Sequence, residues 1–200
     1  PHHFMVVSES ESPMFETKLP QEATWVSDVH VHRDRFDPSR ACAGLAVDND
    51  GYSVEQTVST NSHKCIYTQT GVASGRHYWA FKVLNAGPSN YVMVGLANNA
   101  RLDQSFYPGY SDDKGVSYYG ANGHRYYANT NAAYGPTFTT GDEIGILANL
   151  DFNTVSFFKN GKLVGCALGA DHMLDKATYF PVIALYQLGA KVVSMNVINE

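Results

Sequence analysis

Charge is scarce in this chain. Only 16% of its 200 residues are Asp, Glu, Lys or Arg, against roughly 25% in an average soluble domain. The 14 Lys and Arg are outnumbered by 19 Asp and Glu, leaving a net charge of −5. A protein that grips a phosphate backbone gathers Lys and Arg into a stripe that displaces counterions, so nucleic acid is not an expected partner. Cysteine is sparse too. Cys42, Cys65 and Cys166 include no Cys-x-x-Cys spacing, which writes neither a disulfide framework nor a zinc site; all three are read as free, buried thiols. No stretch approaches the ~18 uninterrupted apolar residues of a spanning helix, and membrane insertion is not expected. Neither an Asn-x-Ser/Thr acceptor nor a charged-then-apolar signal segment is present, which points to the cytoplasm, with the nucleus as the alternative. A Gly-x-Ser-x-Gly elbow and a Gly-rich loop ending in Lys-Ser/Thr are both missing. The chain is expected to be no enzyme and to carry no cofactor, and nothing in it sets an oligomeric state.

What is present is material for strands and turns. Apolar residues make up 44% of the chain, enough for the core of one domain of this length. Residues 1–24 read as a short irregular flank, with His2 and His3, a Ser/Glu cluster from Ser8 to Ser12, and Pro13 and Pro20. From Trp25 onward, short apolar alternations are broken by turn dipeptides. Trp79, Phe81 and Val83 alternate with Tyr78, Ala80 and Lys82, and Val92, Val94 and Leu96 alternate with smaller residues, so each segment has one face built for a core. Val155 to Lys159 and Lys162 to Val164 flank Asn160-Gly161, the dipeptide that supplies the two positive φ angles of a type I′ hairpin turn. Asp50-Gly51 and Asn122-Gly123 sit in similar settings. Tyr179 to Leu185 and Lys191 to Val197 read as further strands, and a turn of helix is expected only around Asp171 to Lys176. Many short strands without interposed helices describe an antiparallel sandwich or barrel, and no fixed-period repeat suggests a propeller or solenoid.

Three segments narrow this to a family. Phe36-Asp37-Pro38 leads into Ser39, Arg40 and Ala41, then Leu45, Val47, Asp48 and Val54. Gly75-Arg76-His77-Tyr78-Trp79-Ala80-Phe81 follows. Gly141-Asp142 then leads to Ile144-Gly145-Ile146, Leu150-Asp151-Phe152 and the Phe157 to Leu163 hairpin. In this order, with Tyr179-Phe180-Pro181 and a closing strand, they resemble the signature segments of B30.2 (PRY-SPRY) domains. Phe36 stands where the family usually has Leu, Ala80 where it has Glu, and Asn153 where Glu is common. The resemblance implies an all-β, two-sheet antiparallel sandwich of the concanavalin-like kind over 25–200, with a PRY-like part about 25–62 and a SPRY part about 63–200. It also implies a protein-protein interaction module that recognises a peptide or protein partner through its loops, such as the recognition domain of a ubiquitin ligase or signalling adaptor.

Matched to family members that bind peptides, the loop positions are Asn90, Tyr110, Tyr186, Gln187 and Leu188, with Tyr107 sharing the role of Tyr110. Asn90 suits the backbone of an extended peptide, and Tyr rings offer an apolar body with a polar rim. Gln187 stands where some peptide-binding relatives have Trp. His124 and Arg125 are peripheral candidates for an acidic ligand. Alternatives remain open. His124, Arg125 and Lys114 would form a basic pocket for a small anion, as in the butyrophilin branch, and loop Asn, Asp and Tyr would suit a lectin. His30, His32 and Asp34 alternate as metal ligands on a strand can, against which stands an exposed polar strand leading into Phe36. His63 near Cys65 reads as a solvated ring beside a packed thiol, and Asp112-Asp113 and Asp142-Glu143 read as exposed turn and strand-opening pairs.

Overall fold

The computed structural model describes residues 15–98, 107–110, 115–169 and 176–199. One sheet has seven strands: β3 (Phe36–Ala41), β6 (Lys64–Thr68), β8 (Met93–Asn98), β9 (Val116–Tyr119), β10 (His124–Tyr127), β11 (Thr130–Ala133) and β15 (Tyr179–Leu185), in the spatial order β11-β10-β9-β8-β15-β6-β3. The other has eight: β2 (Val29–Val31), β4 (Leu45–Val47), β5 (Ser53–Gln56), β7 (Arg76–Asn85), β12 (Glu143–Asn149), β13 (Thr154–Lys159), β14 (Lys162–Leu168) and β16 (Lys191–Ser194), running β14-β13-β12-β7-β16-β5-β4 with β2 beside the start of β7. Among the described residues the strand pairings are antiparallel except two: β2 runs parallel to β7, and β1 (Glu16–Lys18) runs parallel to β17 (Asn196–Ile198).

Period-two alternation fills the space between the sheets. Trp79, Phe81 and Val83 on β7 and Ile144 and Ile146 on β12 meet Val94 and Leu96 on β8 and Ile183 and Leu185 on β15, all buried. The opposite faces are covered as well. Tyr78, Ala80, Leu147 and Phe158 on the far side of the eight-stranded sheet lie under Phe15, Leu19, Val26 and the fully buried Ala23 of a 3-10 helix at Gln21–Trp25. Residues 16–24 are therefore not an irregular flank: they form a strand and a helical turn that roof one face. Their apolar contacts are too few to make a periodic pattern, which is why the sequence did not reveal them.

The Asn160-Gly161 turn has φ of 50° and 78°, as a type I′ turn requires, whereas at Asp50-Gly51 and Asn122-Gly123 only the glycine is left-handed. The break at Met195 divides the expected last strand into β16 and β17. The helical turn expected from Asp171 falls almost wholly outside the described residues. Cys42 and Cys65 are buried free thiols, but Cys166 is exposed; it sits on β14, the edge of its sheet, where two register shifts against β13 twist the strand.

Candidate partner-binding surface

The outer face of the seven-stranded sheet carries Cys65, Tyr67, Met93, Ala97, Val182 and Ala184 as a second buried layer. Small residues dominate its middle. Gly95 on β8 pairs with Ser117 on β9, and a Cβ on Gly95 would lie 2.4 Å from the Val116 carbonyl oxygen and 2.9 Å from Pro108 Cβ. That hollow is occupied by the turn from Tyr107 to Tyr110. The fully buried Ser117 donates its hydroxyl to the Pro108 carbonyl at 2.6 Å, the Tyr110 amide closes onto the Tyr107 carbonyl, and the Gly109 carbonyl accepts the Asn129 amide at 2.9 Å. Gly109 is required here, because its φ is 93° and a Cβ would meet the Tyr126 carbonyl oxygen at 2.2 Å.

Docked in this way, the turn completes a continuous group of rings. Tyr107 contacts Tyr110 and Tyr126 at 5.4 Å between centroids and His63 at 5.3 Å. Tyr119 contacts His63, Tyr126 and Tyr91, while Tyr186 contacts Tyr91 at 5.2 Å and His63 at 5.1 Å. Most of these pairs meet edge-to-face, the arrangement aromatic quadrupoles favour. Tyr110 leaves 43% of its surface in solvent and Leu188, in the neighbouring loop, 57%. Burial lowers the His63 imidazole to about 4, and burial together with the surrounding Tyr hydroxyls pushes Tyr119 upward. Besides Tyr110, the rings of Tyr91, Tyr107, Tyr119, Tyr126 and Tyr186 are half-buried, so the group is partly open to solvent.

Of the residues expected from sequence, Tyr107, Tyr110 and Tyr186 are brought together by this group. His124 projects from β10 on the same face as Tyr126, two positions away, with its Nδ1 held to Asn131 Oδ1 at 2.9 Å. Arg125, between them, points to the opposite face, where it is near Tyr134 on the inter-sheet core. The strand period therefore separates His124 from Arg125 and dismantles the basic pocket considered for a small anion; Lys114 lies outside the described residues. Asn90 and Gln187 serve the scaffold. Asn90, with φ of 58°, accepts the Thr139 hydroxyl at 2.7 Å, and Gln187 Oε1 accepts the Ser89 amide at 3.0 Å, holding two loops together.

Sequence reasoning missed His63, Tyr91, Tyr119, Tyr126 and Gln56. His63 is packed among tyrosines rather than solvated, and Cys65 is fully buried. Gln56, also fully buried, donates from one amide nitrogen to the Val58 carbonyl at 2.9 Å and the Tyr186 carbonyl at 2.8 Å, fixing the approach to Tyr186. Tyr119 and Tyr126 share a face by strand period, but their convergence depends on pairings that only the fold supplies.

Asp34 was expected on an exposed strand and is 6% exposed, accepting the Trp79 indole N–H at 2.8 Å. Among the described residues, no group of three or more His, Cys, Asp or Glu side chains is placed to hold a metal ion, and no helix is long and apolar enough to cross a membrane. Asp142 accepts the Thr139 amide and the Asn160 side chain, and Glu143 accepts the Thr17 hydroxyl, so these carboxylates tie loops. Asp112 and Asp113 lie outside the described residues.

The family model of the SPRY domain matches residues 76–199. Ran-binding protein 9 of Homo sapiens is 38% identical over 96 residues, covering 48% of this chain and 13% of that protein. The Ran-binding proteins 9/10 homolog of Drosophila melanogaster is 36% identical over 176 residues, covering 83% of this chain and 18% of its own. The chain thus spans less than a fifth of the length of these curated relatives. Among solved structures, the SPRY domain of human HERC1 superposes with a TM-score of 0.65 at 25% identity, covering 80% of this chain and 97% of that one. The TRIM65 PSpry domain gives 0.68 at 12% identity, covering 84% and 94%, a likeness of fold alone. With the family model spanning more than half of its length and the two-sheet sandwich matching, the chain belongs to the SPRY domain family.

Proposed function

We propose that this chain is a partner-recognition module that takes a peptide or protein segment across the tyrosine-lined outer face of its seven-stranded sheet. One observation carries the reading: Tyr91, Tyr107, Tyr110, Tyr119, Tyr126, Tyr186 and His63 form one connected group of rings on that face. Tyrosine contributes large contact area for two side-chain torsions, and rings already packed against each other lose little freedom on binding. In a longer protein the module would select the partner while other segments supply any activity, as in a ubiquitin ligase or signalling adaptor of the cytoplasm or nucleus. The small share of its relatives that it covers is consistent with that division.

The test starts from a random peptide library displayed on phage and panned against the chain. Selected peptides are then titrated by calorimetry into the wild type and into the Tyr110→Ala, Tyr186→Ala and Phe152→Ser variants. Phe152 is 61% exposed on the β12–β13 turn of the other sheet. Each tyrosine variant is expected to weaken binding at least about tenfold, equal to ~1.4 kcal/mol, and F152S to leave it unchanged. Binding that survives the loss of both rings contradicts the reading.

A further inference from the structure

Away from the tyrosine surface, a second cluster joins β2 to β7. His30 pairs in register with His77 and stacks on it at 5.5 Å. His32, whose amide donates to the Tyr78 carbonyl at 3.0 Å, lies over Trp79 at 4.8 Å with ring planes 15° apart. Three contacts follow one another through this cluster. His77 Nε2 is 2.7 Å from the Ser74 carbonyl oxygen, His77 Nδ1 is 2.8 Å from His32 Nε2, and His32 Nδ1 is 3.8 Å from Asp34 Oδ1. The other Asp34 oxygen accepts from Trp79 Nε1.

The carbonyl at one end sets the direction of every bond. A carbonyl only accepts, so His77 Nε2 carries the proton; in a neutral ring its Nδ1 is then bare and accepts, and His32 Nε2 must donate. Neutral His32 is left with a bare Nδ1 aimed at Asp34. Against an ionised carboxylate, lone pairs face each other at 3.8 Å, too far for a hydrogen bond and with no proton between them. A proton on Asp34 Oδ1 turns that oxygen into a donor, and once the two side chains close the 3.8 Å gap by roughly half an ångström or more to reach hydrogen-bond distance, the relay runs unbroken from Asp34 through His32 and His77 to Ser74.

We propose that Asp34 is the gate of this relay: protonated, it closes the chain of hydrogen bonds and fastens β2 to β7, and ionised, it leaves the relay open and β2 more loosely held. Environment directs the proton to Asp34 rather than to His32. Burial raises the Asp34 carboxyl to about 6 against the opposing Trp79 hydrogen bond, while burial, with His77 and His30 nearby, lowers His32 to about 4. Among the described residues, the other titratable groups acting on the cluster are His30 on β2, His77 on β7 and Asp151 on the β12–β13 turn. Arg33 and Arg35, flanking Asp34, lie over the Tyr52 ring at 3.8 and 4.7 Å. For Asp34 the sign is fixed: its folded value is raised, so its contribution is most favourable below the unfolded value near 4 and is lost as pH rises through about 6.

Asp34→Asn tests the gate, because an amide offers N–H to His32 and C=O to Trp79, the closed pattern at every pH. The full chain and D34N are compared by thermal unfolding and by amide exchange corrected for intrinsic rate. At pH 7.5, D34N is expected to melt above the wild type, with its advantage shrinking as pH falls through 6. Protection of the His32 amide is expected to rise roughly tenfold between pH 7.5 and 5.5 in the wild type and to stay flat in D34N. A D34N protein less stable than wild type at pH 7.5 overturns the proposal. Nitrogen-15 spectra of the wild-type imidazoles provide a test without a variant: a neutral His32 bare at Nδ1 at pH 6 supports the relay, and a doubly protonated His32 there overturns it.

Discussion

The Ser117 hydroxyl and the Pro108 carbonyl oxygen lie 2.6 Å apart in the interior, and this hydrogen bond joins the sheet to the turn that carries Tyr107 and Tyr110. Ser117 is fully buried, so its hydroxyl depends on that partner. The proposed surface is therefore anchored from beneath.

Ser117→Ala removes the donor and leaves a buried carbonyl without it. A loss of about 1–3 kcal/mol is expected, together with faster exchange of the Tyr110 amide than of the β15 amides. Urea titration and exchange mass spectrometry check both. Uniform acceleration across the chain would mean that the bond supports the whole fold rather than this turn.

Gln56→Leu keeps side-chain volume near that of glutamine while deleting both donations to Val58 and Tyr186. We expect about 2 kcal/mol of lost stability and weaker binding of the selected peptides through displacement of Tyr186. A crystal structure of the variant with Tyr186 unmoved would remove Gln56 from its positioning role.

His63 imposes a pH cost. Its folded pKa is lowered by burial to about 4, so the contribution of the neutral ring is present in full above about 6.5 and is lost as pH falls toward 4. His63→Phe keeps the edge-to-face contacts and removes the titration. Its stability is expected to exceed that of the wild type at pH 4.5 by up to about 3 kcal/mol, with a smaller difference at pH 7.5. Parallel stability curves for the two proteins over this range would place the charged ring in water, not among the tyrosines.

Ala80→Glu restores the residue usual in B30.2 domains at that position, but here Ala80 is buried with Ala23, Leu147 and Phe158 beneath the N-terminal segment. An unpaired carboxylate under that roof is expected to cost at least about 3 kcal/mol, measured by urea unfolding at pH 7. An unchanged midpoint would show that the roof lifts easily.

The sandwich was legible because its signals are local. The alternation of Trp79, Phe81 and Val83 and the Asn160-Gly161 turn declare themselves within a few residues. The surface was only partly legible. Tyr107, Tyr110 and Tyr186 could be named from family resemblance, but His63, Tyr91, Tyr119 and Tyr126 reach them through strands far apart in sequence. The alternation of His30, His32 and Asp34 was visible and suggested a metal, but the residues they engage, His77 and Trp79, lie on β7 more than 40 positions away. Parallel pairing of β2 with β7, which no local pattern announced, changed the chemistry read from those side chains.

The most direct test of the proposed surface is an amide chemical-shift map of the chain during titration with a library-selected peptide. The perturbed resonances are expected to cluster at His63, Tyr91, Tyr107, Tyr110, Tyr119, Tyr126 and Tyr186. Perturbations gathered instead around Trp25 and Phe152, which are 75% and 61% exposed away from this group, would contradict it.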